Sequence, residues 1–162
     1  MSSACLGALD GAIAEFRSRM KQSFIYFDPG DEEEAHLPVV ARQARERGHN
    51  QIEVTAVDQS TVGLAKARLL AEKNGVRITT VTADLNDYII QPAAWDLIID
   101  FFCHMPSAER APLHQRIIAG LKPGGAYIYE VFAPAQLELA TGGPTTRDLV
   151  VSLDEARVEL AS

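Results

Sequence analysis

The stretch Ile52-Glu53-Val54-Thr55-Ala56-Val57-Asp58-Gln59-Ser60 decides the architecture. Ile52 to Val57 reads as a strand that closes at Asp58, because β-branched side chains suit a pleated, buried surface and Asp ends such runs. Ser60 then stands where a helix N-cap belongs, and Val62, Ala65 and Leu69 keep helical spacing until Asn74-Gly75 stops the helix. A strand followed within three residues by a helix is half of a βαβ unit.

Working outward, the same alternation recurs on both sides. Towards the N-terminus, Leu9, Ile13, Phe16 and Met20 line one face of a predicted helix, and Phe24 to Phe27 form a first strand stopped by Asp28-Pro29-Gly30. Pro38 fits the first position of a helix over 38–47, which leaves 28–37 as a long acidic loop. Towards the C-terminus, Arg77 to Val81 is a third strand ended by Ala83-Asp84-Leu85. Trp95 to Phe102 reads as a buried central strand, with Leu113, Ile117 and Leu121 on the helix behind it. Pro123-Gly124-Gly125 is a turn, Ala126 to Phe132 a fifth strand, and 152–160 a last helix. Strands separated by crossover helices predict an α/β fold with a doubly wound, mainly parallel sheet, in one domain over 1–162.

Composition narrows the class. The chain has 162 residues, 15 Lys+Arg against 22 Asp+Glu for a net charge of −7, and 47% hydrophobic residues, which suits one soluble domain with its own core. The acidic balance argues against nucleic acid or an anionic membrane as partner, since both demand clustered Lys/Arg. No run reaches the ~20 apolar residues of a spanning helix. Cys5 and Cys103 share no CxxC spacing, so neither a disulfide framework nor a zinc site is expected, and a reducing cytoplasm is the default location. A small molecule is the expected partner.

In a doubly wound sheet the ligand lies outside the carboxyl ends of the strands, which directs attention to Asp28 to Glu34, Asp58-Gln59, Asp84-Leu85 and Cys103-His104. Asp58 can accept both hydroxyls of a ribose, or simply cap the next helix. Asp84 can take the exocyclic amine of adenine while Leu85 covers a ring face, or serve as a turn residue. Asp31-Glu32-Glu33-Glu34 is either a solvated run near a helix start or a set of charges facing the ligand. His104 can act as a base or be held structurally at a strand end. Cys103 would be a nucleophile only with an activating base. Asp100 and Glu130 lie near the ends of adjacent predicted strands, so they are expected to share the cleft, one of them with a raised pKa.

The segments 54–60, Gly63-Leu64-Ala65-Lys66-Ala67, Thr82-Ala83-Asp84-Leu85, Phe102-Cys103-His104-Met105-Pro106, Leu121-Lys122-Pro123-Gly124-Gly125, 132–137 and 141–144 carry a resemblance. Together they resemble the class I S-adenosylmethionine-dependent methyltransferases, in particular the bacterial small-molecule branch similar to tellurite-resistance and thiopurine-type enzymes. The resemblance implies S-adenosylmethionine as cofactor. It puts the ribose on Asp58 and Gln59, adenine on Asp84 and Leu85, the methionine end near Asp28 and Gly30, and Phe102 to Met105 beside the reactive methyl. His104 and Glu130 are then the candidate catalytic residues. A nicotinamide-dependent oxidoreductase would need GxGxxG, which the chain lacks.

Members of that family continue past the fifth strand with a helix and two more strands. The 30 residues after Phe132 hold one helix and no such pair, so five strands are expected, with the fifth at an edge that either a homodimer or the rest of a longer chain would cover. A non-catalytic relative, keeping the sheet as a ligand-binding or interaction module, is the alternative reading.

Overall fold

The computed structural model describes residues 22–27, 46, 52–139 and 141–161. The predicted helix over 9–21, the Asp28-Pro29-Gly30 turn, the acidic loop and, apart from the helical Glu46, the helix over 38–47 lie outside the described residues. Strands β1 (Gln22–Phe27), β2 (Ile52–Asp58), β3 (Ile78–Thr82), β4 (Trp95–Phe101) and β5 (Leu121–Glu130) form one sheet in the order β3-β2-β1-β4-β5. Every neighbouring pair is parallel. The chain builds β2 and β3 to one side of β1, then β4 and β5 to the other, so the order reverses beside β1. Among the described residues no helix is long and apolar enough to cross a membrane.

Helix α1 (Thr61–Lys73) starts as its sequence requires, with Ser60 Oγ accepting from the Gly63 backbone N–H at 3.0 Å. Its buried face is not the predicted one. Leu64, Ala67 and Ala71 pack inward, whereas Val62 and Leu69 are 59% and 67% exposed. Both sets recur at helical steps, and packing against the sheet selects the Leu64 face.

β4 is covered on both sides, which explains its apolar Leu97-Ile98-Ile99 centre. Leu97, Ile99 and Phe101 meet Val54, Ala56, Leu64 and Ile128 on one face. On the other, Ile98 meets Val57 and Leu85, together with Leu113 and Ile117 of α2 (Ser107–Gly120). Leu121, expected on that helix, is instead the first residue of β5.

β5 also starts five positions before the predicted Ala126, with the Lys122-Pro123-Gly124-Gly125 turn lying inside it as an insertion. Trp95 pairs with Leu121, and Leu97, two residues on, pairs with Ala126. Gly124 takes φ +75°, and a Cβ on Gly125 would stand 2.9 Å from Lys122 O and 3.1 Å from Trp95 O, so the turn needs its glycines. Lys122 Nζ donates to the buried Asp96 carboxylate at 2.7 Å, which balances a charge that would otherwise be costly inside the sheet. Two short 3₁₀ turns, Pro134–Glu138 and Arg147–Leu149, lead to α3 (Leu153–Ala161), which packs on α2.

Candidate nucleotide-binding site

A cavity of about 420 Å³ opens at the carboxyl ends of β2, β3 and β4. Asp58, Gln59 and Ser60 form one wall, Asp84, Leu85 and Asn86 a second, and Cys103 to Pro106 with Glu109 the third. Its size falls within the usual range for small-ligand clefts.

Asp58 is 7% exposed and its Oδ1 accepts the Ser60 N–H at 2.8 Å. Oδ2 faces Gly63, where a Cβ would approach to 3.1 Å. The same carboxylate therefore shapes the strand-to-helix turn and lines the cavity. Asp84 likewise does both: Oδ1 accepts from Asn86 N–H at 2.8 Å and its carbonyl accepts from Asp87 and Tyr88, while the residue stays in the wall. Leu85 reaches the cavity from the core beneath α2.

Two side chains that sequence reasoning missed hold this second wall. Arg116 of α2 donates to Leu85 O at 2.7 Å and Tyr88 O at 2.9 Å, and Asn86 Nδ2 donates to Glu109 Oε2 at 2.7 Å. Neither has a sequence signal, since an arginine or glutamate on a helix reads as a solvated face.

On the third wall, Cys103 is buried and hydrogen-bonds Asp100, a packing position rather than an activated thiol. His104 lines the cavity and stacks on Phe132, with ring centroids 5.4 Å apart and planes 11° off parallel. Burial lowers its pKa, a hydrogen bond to the Leu149 backbone opposes that, and Nδ1 is buried with no hydrogen-bond partner among the described residues. The imidazole is thus neutral near pH 7, with a lone pair available.

Phe102 and Glu130 do not line the cavity. Phe102 has φ +58°, a strained value for a bulky residue, and its N–H donates to Glu130 O at 2.8 Å. Glu130 ends β5 with Oε2 buried and without a hydrogen-bond partner among the described residues. Asp28 and Gly30 lie outside the described residues.

The expectation that Asp100 and Glu130 share a cleft fails on register. Asp100 pairs with Tyr129 and Glu130 with Phe101, so the two carboxyls point to opposite faces of the sheet. Asp100 accepts from Tyr127 Oη at 3.0 Å, away from the cavity. Burial pushes its pKa up to about 6, against lowering hydrogen bonds from Cys103 and Tyr127. The raised carboxyl exists, but it belongs to the core.

A parallel sheet reversing beside its first strand, with Asp58 and Asp84 after β2 and β3 lining one cavity, defines a doubly wound α/β domain with a cleft at its topological switch point. The chain belongs to the methyltransferase domain family, which matches residues 39–125. Over 79 residues it is 38% identical to the carboxy-S-adenosyl-L-methionine synthase of Geobacter metallireducens, a match covering 47% of this chain and 32% of that protein. The S-adenosylmethionine-dependent methyltransferase of Mesorhizobium loti superposes with a TM-score of 0.64 at 19% identity, over 97% of this chain and 81% of its own. The cyclase SpnF superposes with a TM-score of 0.66, also at 19% identity, over 96% of this chain and 54% of its own. The chain thus spans about a third of the synthase and about half of the cyclase. The structural likenesses define a Rossmann-like methyltransferase fold.

Proposed function

We propose that this domain binds S-adenosylmethionine at the carboxyl ends of its strands and transfers the methyl group to a small-molecule acceptor. One observation carries the reading: the buried Asp58 carboxylate and the Asp84-Leu85 pair face the same nucleoside-sized cavity. The residues fit the nucleoside half of the cofactor. Asp58, with Gln59, accepts the ribose hydroxyls, Asp84 takes the adenine amine, and Leu85 covers the ring. Asp28 and Gly30 are assigned the methionine end, and Phe102 the vicinity of the methyl.

When bound, the cofactor would supply an electrophilic methyl group on a sulfonium, the bonding pair being left on sulfur as the methyl passes to the acceptor. In-line positioning is the protein's main contribution. His104, neutral through burial, takes the acceptor's proton at Nδ1. Glu130 holds the acceptor.

Calorimetric titration with S-adenosylmethionine and S-adenosylhomocysteine, repeated on Asp58→Ala, tests the reading. Heat in the wild type that is lost in the variant supports it; no heat at roughly millimolar ligand, where binding is worth only about 4 kcal/mol, ends it. The four consecutive carboxylates Asp31 to Glu34 favour a second reading, a non-catalytic ligand-binding module. Tight binding without turnover across an acceptor panel would select it. A second copy pairing along the β5 edge is the proposed assembly, and a monomer in sedimentation would count against it.

A further inference from the structure

The connection from β3 to β4, residues 83–94, contains no helix, yet it carries Asp84 and Leu85 on the cavity wall. A connection without a regular element of its own has to be held from outside if its side chains are to keep fixed places. Here α2 holds it along its length. At one end Asn86 Nδ2 donates to Glu109 Oε2 at 2.7 Å, and at the other the Ala93 and Ala94 N–H groups donate to Ala119 O and Gly120 O, both at 2.9 Å. Between these ends, Leu85 and Ile90 share a buried cluster with Leu113 and Ile117.

Arg116 is the centre of this strap. It follows Glu109 by about two turns on the same face of α2, with Nη2 donating to Leu85 O at 2.7 Å and Nη1 to Tyr88 O at 2.9 Å. The Tyr88 N–H donates back to Asp84 O at 2.9 Å, so the guanidinium grips both ends of the turn that Asp84 opens. The Asp84 carboxylate is fixed relative to that turn, because Oδ1 accepts the Asn86 N–H at 2.8 Å. A planar, two-pronged guanidinium can bridge two carbonyls at once, which the point charge of a lysine does less well. Arg116 itself does not line the cavity.

We infer that Arg116 is a positioning residue that sets the cavity's preference for a 6-aminopurine over a 6-oxopurine: by holding the Leu85 and Tyr88 carbonyls, it aims the Asp84 carboxylate. This deepens the cofactor reading and rests on it for Asp84 meeting the base. An exocyclic amine donates to a carboxylate, whereas a carbonyl in its place turns lone pairs against it. The discrimination depends on aim, since hydrogen bonds weaken steeply as they bend. Leu85 supplies apolar contact that either base takes alike.

The test is calorimetric titration of S-adenosylhomocysteine and S-inosylhomocysteine, which share sugar and amino acid and differ in the base, on wild type, Arg116→Met and Arg116→Lys. The wild type should bind the adenosyl ligand at least about tenfold tighter, a difference of about 1.4 kcal/mol. Arg116→Met keeps an apolar stem and removes both prongs, and should bring the ratio within about threefold, chiefly by weakening the adenosyl ligand. Arg116→Lys, which retains the charge and one hydrogen bond, should fall between. An arginine with a merely structural role would weaken both ligands alike or move only the melting midpoint. An unmoved ratio, or equal binding of the two ligands by the wild type, therefore overturns the proposal. If Arg116→Met does not fold, Arg116→Lys decides: a reduced ratio supports the proposal and the wild-type ratio overturns it. Heat from neither ligand in the wild type overturns the cofactor reading and this proposal with it, a result distinct from heat with an unmoved ratio.

Discussion

The Asp100 carboxyl sits inside the sheet, hydrogen-bonded by Tyr127 and Cys103, and burial raises its pKa to about 6. Near pH 3 it is neutral folded and mostly neutral unfolded. Between about pH 3 and 6 the unfolded chain ionises first, so the folded state loses stability as pH rises; above 6 the loss is constant, on the order of 3 kcal/mol. Asp100→Asn keeps an acceptor for Tyr127 and removes the ionisation. It should be more stable than wild type at pH 8, by an amount that shrinks towards zero near pH 3; urea denaturation at the two pH values checks this, and equal stability at pH 8 refutes it. Asp58 invites a different substitution. Asp58→Asn retains an acceptor for the Ser60 N–H, so the melting midpoint should hold while S-adenosylhomocysteine affinity falls about 10–100-fold with the loss of charged hydrogen bonds. A calorimetric constant within twofold of wild type would remove Asp58 from the site.

Among the elements, α3 is fastened to α2 by a buried guanidinium. Arg110 is 5% exposed and forks onto Glu159 at 2.9 and 2.7 Å, while Nη1 donates to Met105 O at 3.0 Å and Asp148 O at 3.2 Å. His114, kept neutral chiefly by burial, stands 3.2 Å from the same glutamate. Glu159→Ala would leave that arginine buried without its counter-charge, at a cost of about 3–5 kcal/mol in chemical denaturation. A cost below about 1 kcal/mol, the level of an exposed pair, would show that the fork contributes little. Because Met105 lines the cavity, the variant should also bind S-adenosylhomocysteine more weakly. The β5 insertion is equally specific: Gly125→Ala pushes a methyl against two backbone carbonyls and should cost about 1–3 kcal/mol in the same assay. The Pro-Gly-Gly turn was legible from residue type alone. That it interrupts a strand was not, because an insertion is defined only against the partner strand.

At the scale of the whole molecule, the cavity is a property of the native sheet and vanishes on unfolding. S-adenosylhomocysteine at a hundred times its dissociation constant should therefore stabilise the domain by about 2.7 kcal/mol, a rise of roughly 5–11 °C in melting midpoint. No shift under those conditions would mean that the folded and unfolded chains bind it alike. The order of elements, the parallel sheet and the siting of Asp58 and Asp84 at strand ends follow from the sequence by itself. They rest on local causes: β-branched runs, a serine cap, glycine and proline stops. Tertiary structure alone decided that α1 buries Leu64, Ala67 and Ala71, that Asp100 and Glu130 face apart, that His104 stacks on Phe132, and that Arg110 finds Glu159 49 residues away. Each of these depends on strand register or helix rotation, and both are settled by packing between segments distant in the chain.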